Sequence, residues 1–185
     1  TGFGRTGKMF AMDFLDVKPD ILCLAKSLTG GCLPLAATVF DEKIYQAFLD
    51  SDIEKAFLHG HSYTANPVAC AAAIKSLELF ETENTLKKIG TISSIHKQCL
   101  EYLSKELNIS RTRSLGDIAA FDINSFENDY GSKKSELLKK EFLNNGLLLR
   151  PIGNTIYLMP PYCIKKEQLQ SCYMKISKIL KQFQN

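Results

Sequence analysis

Residues 20–26 open the chain's clearest pattern, a continuous apolar run of Ile21-Leu22-Cys23-Leu24-Ala25 between Asp20 and Lys26 that predicts a buried strand. A second strand is expected at 35–40, after Pro34, followed by a helix over about 41–49. This order is an α/β rhythm. Residues 1–8 and 60–65 carry the glycines and polar side chains of loops. Asn66-Pro67 predicts a helix start, because asparagine can cap and proline suits the first helical position. The helix that follows has alanine at positions 69, 71, 72 and 73, small enough to let its backbone approach a sheet closely.

Beyond Thr85, Ile89, Ile92, Ile95, Cys99, Leu103 and Leu107 keep the spacing of one helical face, with Gly90 as a weak point. From Arg111 the chain predicts extended segments at 118–123, 147–149 and 155–159. Helices are expected at 133–144, closed by Gly146, and at 167–183, with Pro160-Pro161 stopping the strand between. A domain boundary is expected near residue 108, dividing 1–108 from 109–185.

A chain of 185 residues with 45% hydrophobic and 23% charged residues is long enough for a real core. Its net charge of +3 comes from lysines scattered among acids, a distribution that gives nucleic-acid binding no support. No apolar run approaches the roughly 20 residues that span a bilayer, and the first residues lack the apolar core of a secretory signal. Cytoplasmic residence is the expectation. The six cysteines contain no C-x-x-C pair and read as small buried hydrophobes kept reduced. His59 and His61 have one residue between them and no carboxylate or cysteine nearby, so no metal site is expected.

Lys26 is the leading chemical candidate. A strand that delivers an amine to the start of a glycine turn, here Gly30-Gly31, can hold a lysine for imine chemistry. Read on position alone, an ordinary lysine snorkelling to water explains it more simply. Gly2-x-Gly4-x-x-Gly7 fits the dinucleotide fingerprint, with Asp20 passing for a ribose ligand, but no strand precedes Gly2 and Asp20 does not end one. A glycine turn lying near a substrate suits it better.

Taken together, T-G-F-G-R-T-G at 1–7, P-D-I-L-C-L-A-K at 19–26, G-G-x-x-P-L-A at 30–36 and H-G-H-S-Y-T-A-N-P at 59–67 resemble the class III aminotransferases. G-L-L-L-R-P-I-G at 146–153 and I-Y-L-M-P-P-Y at 156–162 extend the likeness over nearly the whole chain. The resemblance implies the α/β fold of type I pyridoxal-phosphate enzymes, with a large domain around a mostly parallel sheet, a small α/β domain and a homodimer sharing its active sites. Residues 1–108 would supply the second half of the large domain and a connecting helix, and 109–185 the small domain.

The resemblance also implies roles. Lys26 would hold pyridoxal 5'-phosphate and move protons, a task closed to arginine, which stays protonated. Ser62, where the family commonly has threonine, would reach the cofactor phosphate of the neighbouring subunit; without the family it reads as a turn serine. Gly60 and His61 would line the same region. Arg150 would bind a substrate carboxylate, and Arg5 and Tyr157 would lie near the substrate. The implied reaction moves an amino group from S-adenosylmethionine to 8-amino-7-oxononanoate. An ω-amino acid or diamine transaminase, or a non-catalytic remnant, are the alternatives.

The family's D-E-[IV]-x stretch is not among these residues, nor are its glycine-serine phosphate cup and the ring-stacking aromatic. The chain is therefore expected to be the C-terminal portion of a longer or split polypeptide and catalytically incompetent alone.

Overall fold

The computed structural model describes residues 1–127, 129 and 132–184. They form two compact units, one comprising Thr1, Phe3–Met9 and Thr85–Asn185, the other Gly2 and Phe10–Asn84.

In the second of these, β1 (Ile21–Leu24) pairs antiparallel with β2 (Ala37–Phe40), in the register Ile21↔Phe40 to Leu24↔Ala37. A 3-10 turn, Lys26–Thr29, follows β1, and α1 (Glu42–Gln46) follows β2. The helix expected to reach residue 49 ends early. Phe48 and Leu49 continue it only through three-residue bonds to Tyr45 and Gln46. α2 (Pro67–Thr82) starts as expected, with Asn66 Oδ1 accepting from the N–H groups of Val68 (3.0 Å) and Ala69 (3.1 Å).

Two expectations change here. β1 lies in the predicted place but is not buried: its side chains alternate between exposed and half-buried, and Ile21 is 54% exposed. Among the described residues its one sheet neighbour is β2, itself largely exposed, and no second layer closes over it. The alanines of α2 meet a turn and not a sheet. Ala69 and Ala73 are buried where α2 packs on Lys26–Thr29, and Ser76 Oγ donates to the Ser27 carbonyl.

The other unit is built on a three-stranded antiparallel sheet, β3 (Ile109–Leu115), β4 (Ile118–Ile123) and β5 (Thr155–Leu158), in that order. α3 (Thr85–Glu106) packs on β3, β4 and α5 (Lys166–Gln184), and α4 (Lys133–Asn144) packs on α5. The predicted stripe holds: Ile89, Ile92, Ile95 and Leu103 are buried, joined by Leu100. Central β4 buries every residue from Ala119 to Ile123. α3 spends its apolar face in this core and so groups with the residues that follow it.

β3 was not expected. Its sequence, ISRTRSL, is polar, and its side chains are mostly exposed, as on an edge strand with one wet face. The extended segment expected at 147–149 is irregular instead. Gly146 adopts φ +73°, its N–H bonding the Leu143 carbonyl (2.9 Å) while the Leu147 N–H bonds Phe142 (2.8 Å). This double closure of α4 uses the donor that a strand would need.

All strand pairings among the described residues are antiparallel, so the parallel sheet implied by the resemblance is not found within them. The cysteines form no disulfide there, but Cys23, Cys32 and Cys163 are exposed and the other three half-buried, against the buried placement expected. Cys23 lies within the thinly covered β1, and Cys32 directly follows the glycine turn. No helix among the described residues is long and apolar enough to cross a membrane.

Candidate active site

Lys26 stands where β1 ends. Ala25 is still extended (φ −160°), and Lys26 turns into the left-handed region at φ +53°. A side-chain-bearing residue costs about 1–2 kcal/mol there, and such strain persists only where its surroundings over-determine it. They do so here. Leu28 and Thr29 are buried, the Gly30 N–H closes the turn on Ser27 (3.0 Å), and the Thr29 hydroxyl donates to the Leu33 carbonyl (2.6 Å) beyond Gly30 and Gly31. The turn is anchored while the Lys26 side chain is exposed.

The loop before α2 is held by its own hydrogen bonds. The His61 N–H donates to Thr64 Oγ1 (2.9 Å), and the Tyr63 N–H donates to His61 Nδ1 (3.1 Å). With Nδ1 accepting, the proton of a neutral His61 sits on Nε2. A Cβ on Gly60 would come within 3.3 Å of Thr64 Oγ1, which favours glycine there. His61, Tyr63 and Thr64 line a cavity of about 620 Å³ with Leu33, Pro34 and Ala36. Lys26, Gly60 and Ser62 do not line it; Ser62 is exposed on the loop.

In the other unit, Arg150 and Tyr157 are brought together. Both line a cavity of about 470 Å³ whose walls are otherwise formed by apolar groups such as Leu149, Met159, Ile164 and Leu169, and by Pro160 and Pro161. Arg150 is the charged residue among those lining it. An apolar trough with one planar, permanently charged fork suits an aliphatic chain ending in a carboxylate.

Arg5 does not line that cavity. Its Nη1 donates to the buried Asp117 carboxylate (2.5 Å) and to the Pro160 carbonyl (3.2 Å), and its guanidinium lies 4.6 Å over the Tyr162 ring. The Tyr162 hydroxyl donates to the Phe3 carbonyl (2.6 Å), and burial pushes its pKa up to about 12. Burial also raises the Asp117 carboxyl above its usual range, against the pull of Arg5.

His96, Asp117 and Tyr173, missed from sequence, form a buried chain beneath this pair. His96 Nε2 lies 3.0 Å from the Asp117 carbonyl and Nδ1 lies 2.6 Å from the Tyr173 hydroxyl. A carbonyl only accepts, so Nε2 carries the proton and Nδ1 accepts from Tyr173. Burial lowers the His96 pKa and keeps the ring neutral. The available signal was a histidine on the apolar stripe of α3, where a buried ring needs partners.

The Aminotransferase class-III family matches residues 1–180. Adenosylmethionine-8-amino-7-oxononanoate aminotransferases from Synechococcus elongatus and Helicobacter pylori are 43% and 42% identical to the chain, each over 97% of it and 42% of their own length. The chain belongs to the class III aminotransferase family. It spans less than half the length of these relatives. The enzyme of the same name from Methanocaldococcus jannaschii superposes with a TM-score of 0.85 at 37% identity, covering 98% of this chain and 44% of that one. A PLP-bound amine transaminase from an uncultivated Pseudomonas species gives 0.87 at 30% identity, covering 98% and 42%. The α/β fold type I architecture, present in part, follows from these likenesses.

The family implies pyridoxal phosphate, and the donor set fits it. Lys26 offers an exposed amine on an anchored turn, Ser62 an exposed hydroxyl, and His61 an Nε2–H left over from its loop bonds.

Proposed function

We propose that this chain is the part of an adenosylmethionine-8-amino-7-oxononanoate aminotransferase that carries the cofactor lysine and the carboxylate-binding arginine, serving biotin biosynthesis. The observation that carries the proposal is the coincidence of that shared relationship with Lys26 on a strained, anchored turn and Arg150 in an apolar cavity. Residues up to Asn84 would belong to the cofactor-binding large domain and 109–185 to the small domain, with α3 between them. The complete enzyme would be a cytoplasmic homodimer with shared active sites.

Bound pyridoxal phosphate supplies an electron sink for the electrons left when a proton leaves the substrate's amine-bearing carbon. Lys26 would hold the cofactor through its amine, and its Nζ would carry that proton. Ser62 supplies a hydroxyl to the phosphate of the partner subunit's site, with Gly60 and His61 alongside. Arg150 and Tyr157 orient the oxo-amino acid by its carboxylate end.

Borohydride reduction of the complete, cofactor-loaded enzyme followed by peptide mapping should place the pyridoxyl group on Lys26. Formation of 7,8-diaminononanoate with S-adenosylmethionine as donor tests the reaction. Turnover of an ω-amino acid or diamine in its place would favour another class III activity, a reading supported by the likeness to the amine transaminase. Labelling of Lys26 without any turnover would indicate a non-catalytic remnant.

A further inference from the structure

We propose that Arg5 and Asp117 form a positioning pair for the Arg150 cavity: Asp117 pins the guanidinium, and the guanidinium holds the Pro160 carbonyl, fixing the wall from Tyr157 to Pro161. The inference rests on reading Arg150 as the carboxylate ligand.

The wall needs an external support. Beyond Leu158 the sheet ladder ends, and Pro160 and Pro161 have no N–H with which to extend it. The Arg5 bond to the Pro160 carbonyl and the stacking of its guanidinium on Tyr162 fix this stretch.

Asp117 is in turn set by the core. Its N–H donates to the Arg5 carbonyl (3.2 Å), and its own carbonyl accepts from His96, which is tied to Tyr173 on α5. Gly116 admits no side chain, because a Cβ would meet backbone atoms of Arg5, Thr6 and Gly7 at 2.3–2.4 Å. The relay therefore runs from α3 and α5 through Asp117 and Arg5 to the cavity wall.

Stability alone does not account for the pair. Among the described residues Asp117 Oδ1 is buried without a hydrogen-bond partner, and burying a carboxylate in this way costs free energy that an apolar residue of like size would not. An ordering role does account for it.

Direct recognition of substrate by Arg5 predicts the opposite sign. Removing its buried counter-ion would free the guanidinium and strengthen carboxylate binding, whereas a lost positioning pair weakens it. The probe is nonanoate, a carboxylate with the nine-carbon chain of the proposed substrate, titrated calorimetrically into the complete protein freed of cofactor. Arg5→Gln, Asp117→Asn and the double variant should each weaken nonanoate by about tenfold, and by the same factor, because all three break one relay. The double variant replaces the ion pair with neutral amides of similar shape and covers the case in which either single variant fails to fold. Arg5→Lys should restore the melting temperature through its ion pair with Asp117 but not the affinity, since it lacks the planar guanidinium that stacks on Tyr162 while reaching Pro160. In the loaded enzyme, KM for the oxo-amino acid should rise about tenfold with kcat within about twofold.

Unchanged or tighter nonanoate binding by Asp117→Asn overturns the proposal. Arg150→Ala separates the two levels. If it binds nonanoate normally, the reading of the cavity itself fails. If it loses binding while the Arg5 and Asp117 variants keep theirs, only the positioning pair fails.

Discussion

Lys26 combines two properties that a surface lysine on a helix lacks, a left-handed backbone and a turn tied down on both sides. Its spacing between an apolar run and Gly30-Gly31 was legible in the sequence, because strand and turn chemistry are local. Its backbone angle was not, because a positive φ at lysine is imposed by the packing of Leu28 and Thr29 under α2. Arg150 poses a sharper test of chemistry. Arg150→Lys keeps the charge but loses the bidentate fork, so kcat/KM for the oxo-amino acid should fall by about tenfold to a hundredfold while cofactor absorbance is retained. Unaltered kinetics would remove Arg150 from the site. His96 gives a pH prediction. Its folded pKa lies below the ordinary 6.5, so the unfolded chain takes up a proton first; its contribution is complete above pH 6.5 and is lost as pH falls from there toward the folded value. His96→Gln should therefore show a shallower loss of stability than the wild type between about pH 6.5 and 5, by up to roughly 1.4 kcal/mol per unit. Parallel denaturation midpoints across that range would show that the buried ring is not the titrating group.

At the scale of elements, α4 and its Gly146 closure were readable, since a helix and its glycine stop are set locally, while the Ser132 cap was not picked out from the sequence. β3 was not readable, because it is defined by hydrogen bonds to β4 and its side chains face water. Segment 147–149 misled for a related reason: three leucines mark an apolar run, but the cap bond from Leu147 decides its conformation. Two glycines expose the same limit with opposite signs. Gly90 sits inside α3 with nothing near a prospective Cβ, so Gly90→Ala should stabilise by about 0.5–1 kcal/mol through helix propensity. Gly116, at φ +60° against the backbone of the Arg5–Gly7 turn, should lose about 2–4 kcal/mol when replaced by alanine. Urea midpoints decide both. Equal effects at the two positions would mean that the close approach of Gly116 to the N-terminal turn does not exist in solution.

For the molecule as a whole, apolar burial is unevenly shared. The unit from Thr85 onward carries a continuous core that includes Leu103, Phe121, Phe142 and Ile176, each fully buried. Between Phe10 and Asn84 the buried apolar side chains are Leu28, Ala69 and Ala73, while Leu15, Val39, Phe57 and Leu58 are among those more than half exposed. The apolar content of β1 foretold burial, but burial needs a covering layer that a two-stranded pair does not make for itself. The strand's position was therefore legible and its environment was not. Local stability should follow this division, because amides with few packed neighbours open at low cost. In hydrogen exchange on the 185-residue chain, amides of 21–24 and 37–40 should exchange much faster than those of 118–123, and limited proteolysis should cut first within residues 47–65. In the complete polypeptide, strand protection at 21–40 should rise toward that of the sheet centred on β4, and the exposed apolar face should lose its binding of a hydrophobic dye. If β1 and β2 in the isolated chain were already as protected as β4, their thin covering would not limit stability, and the proposed dependence of this half on the rest of the enzyme would have to be given up.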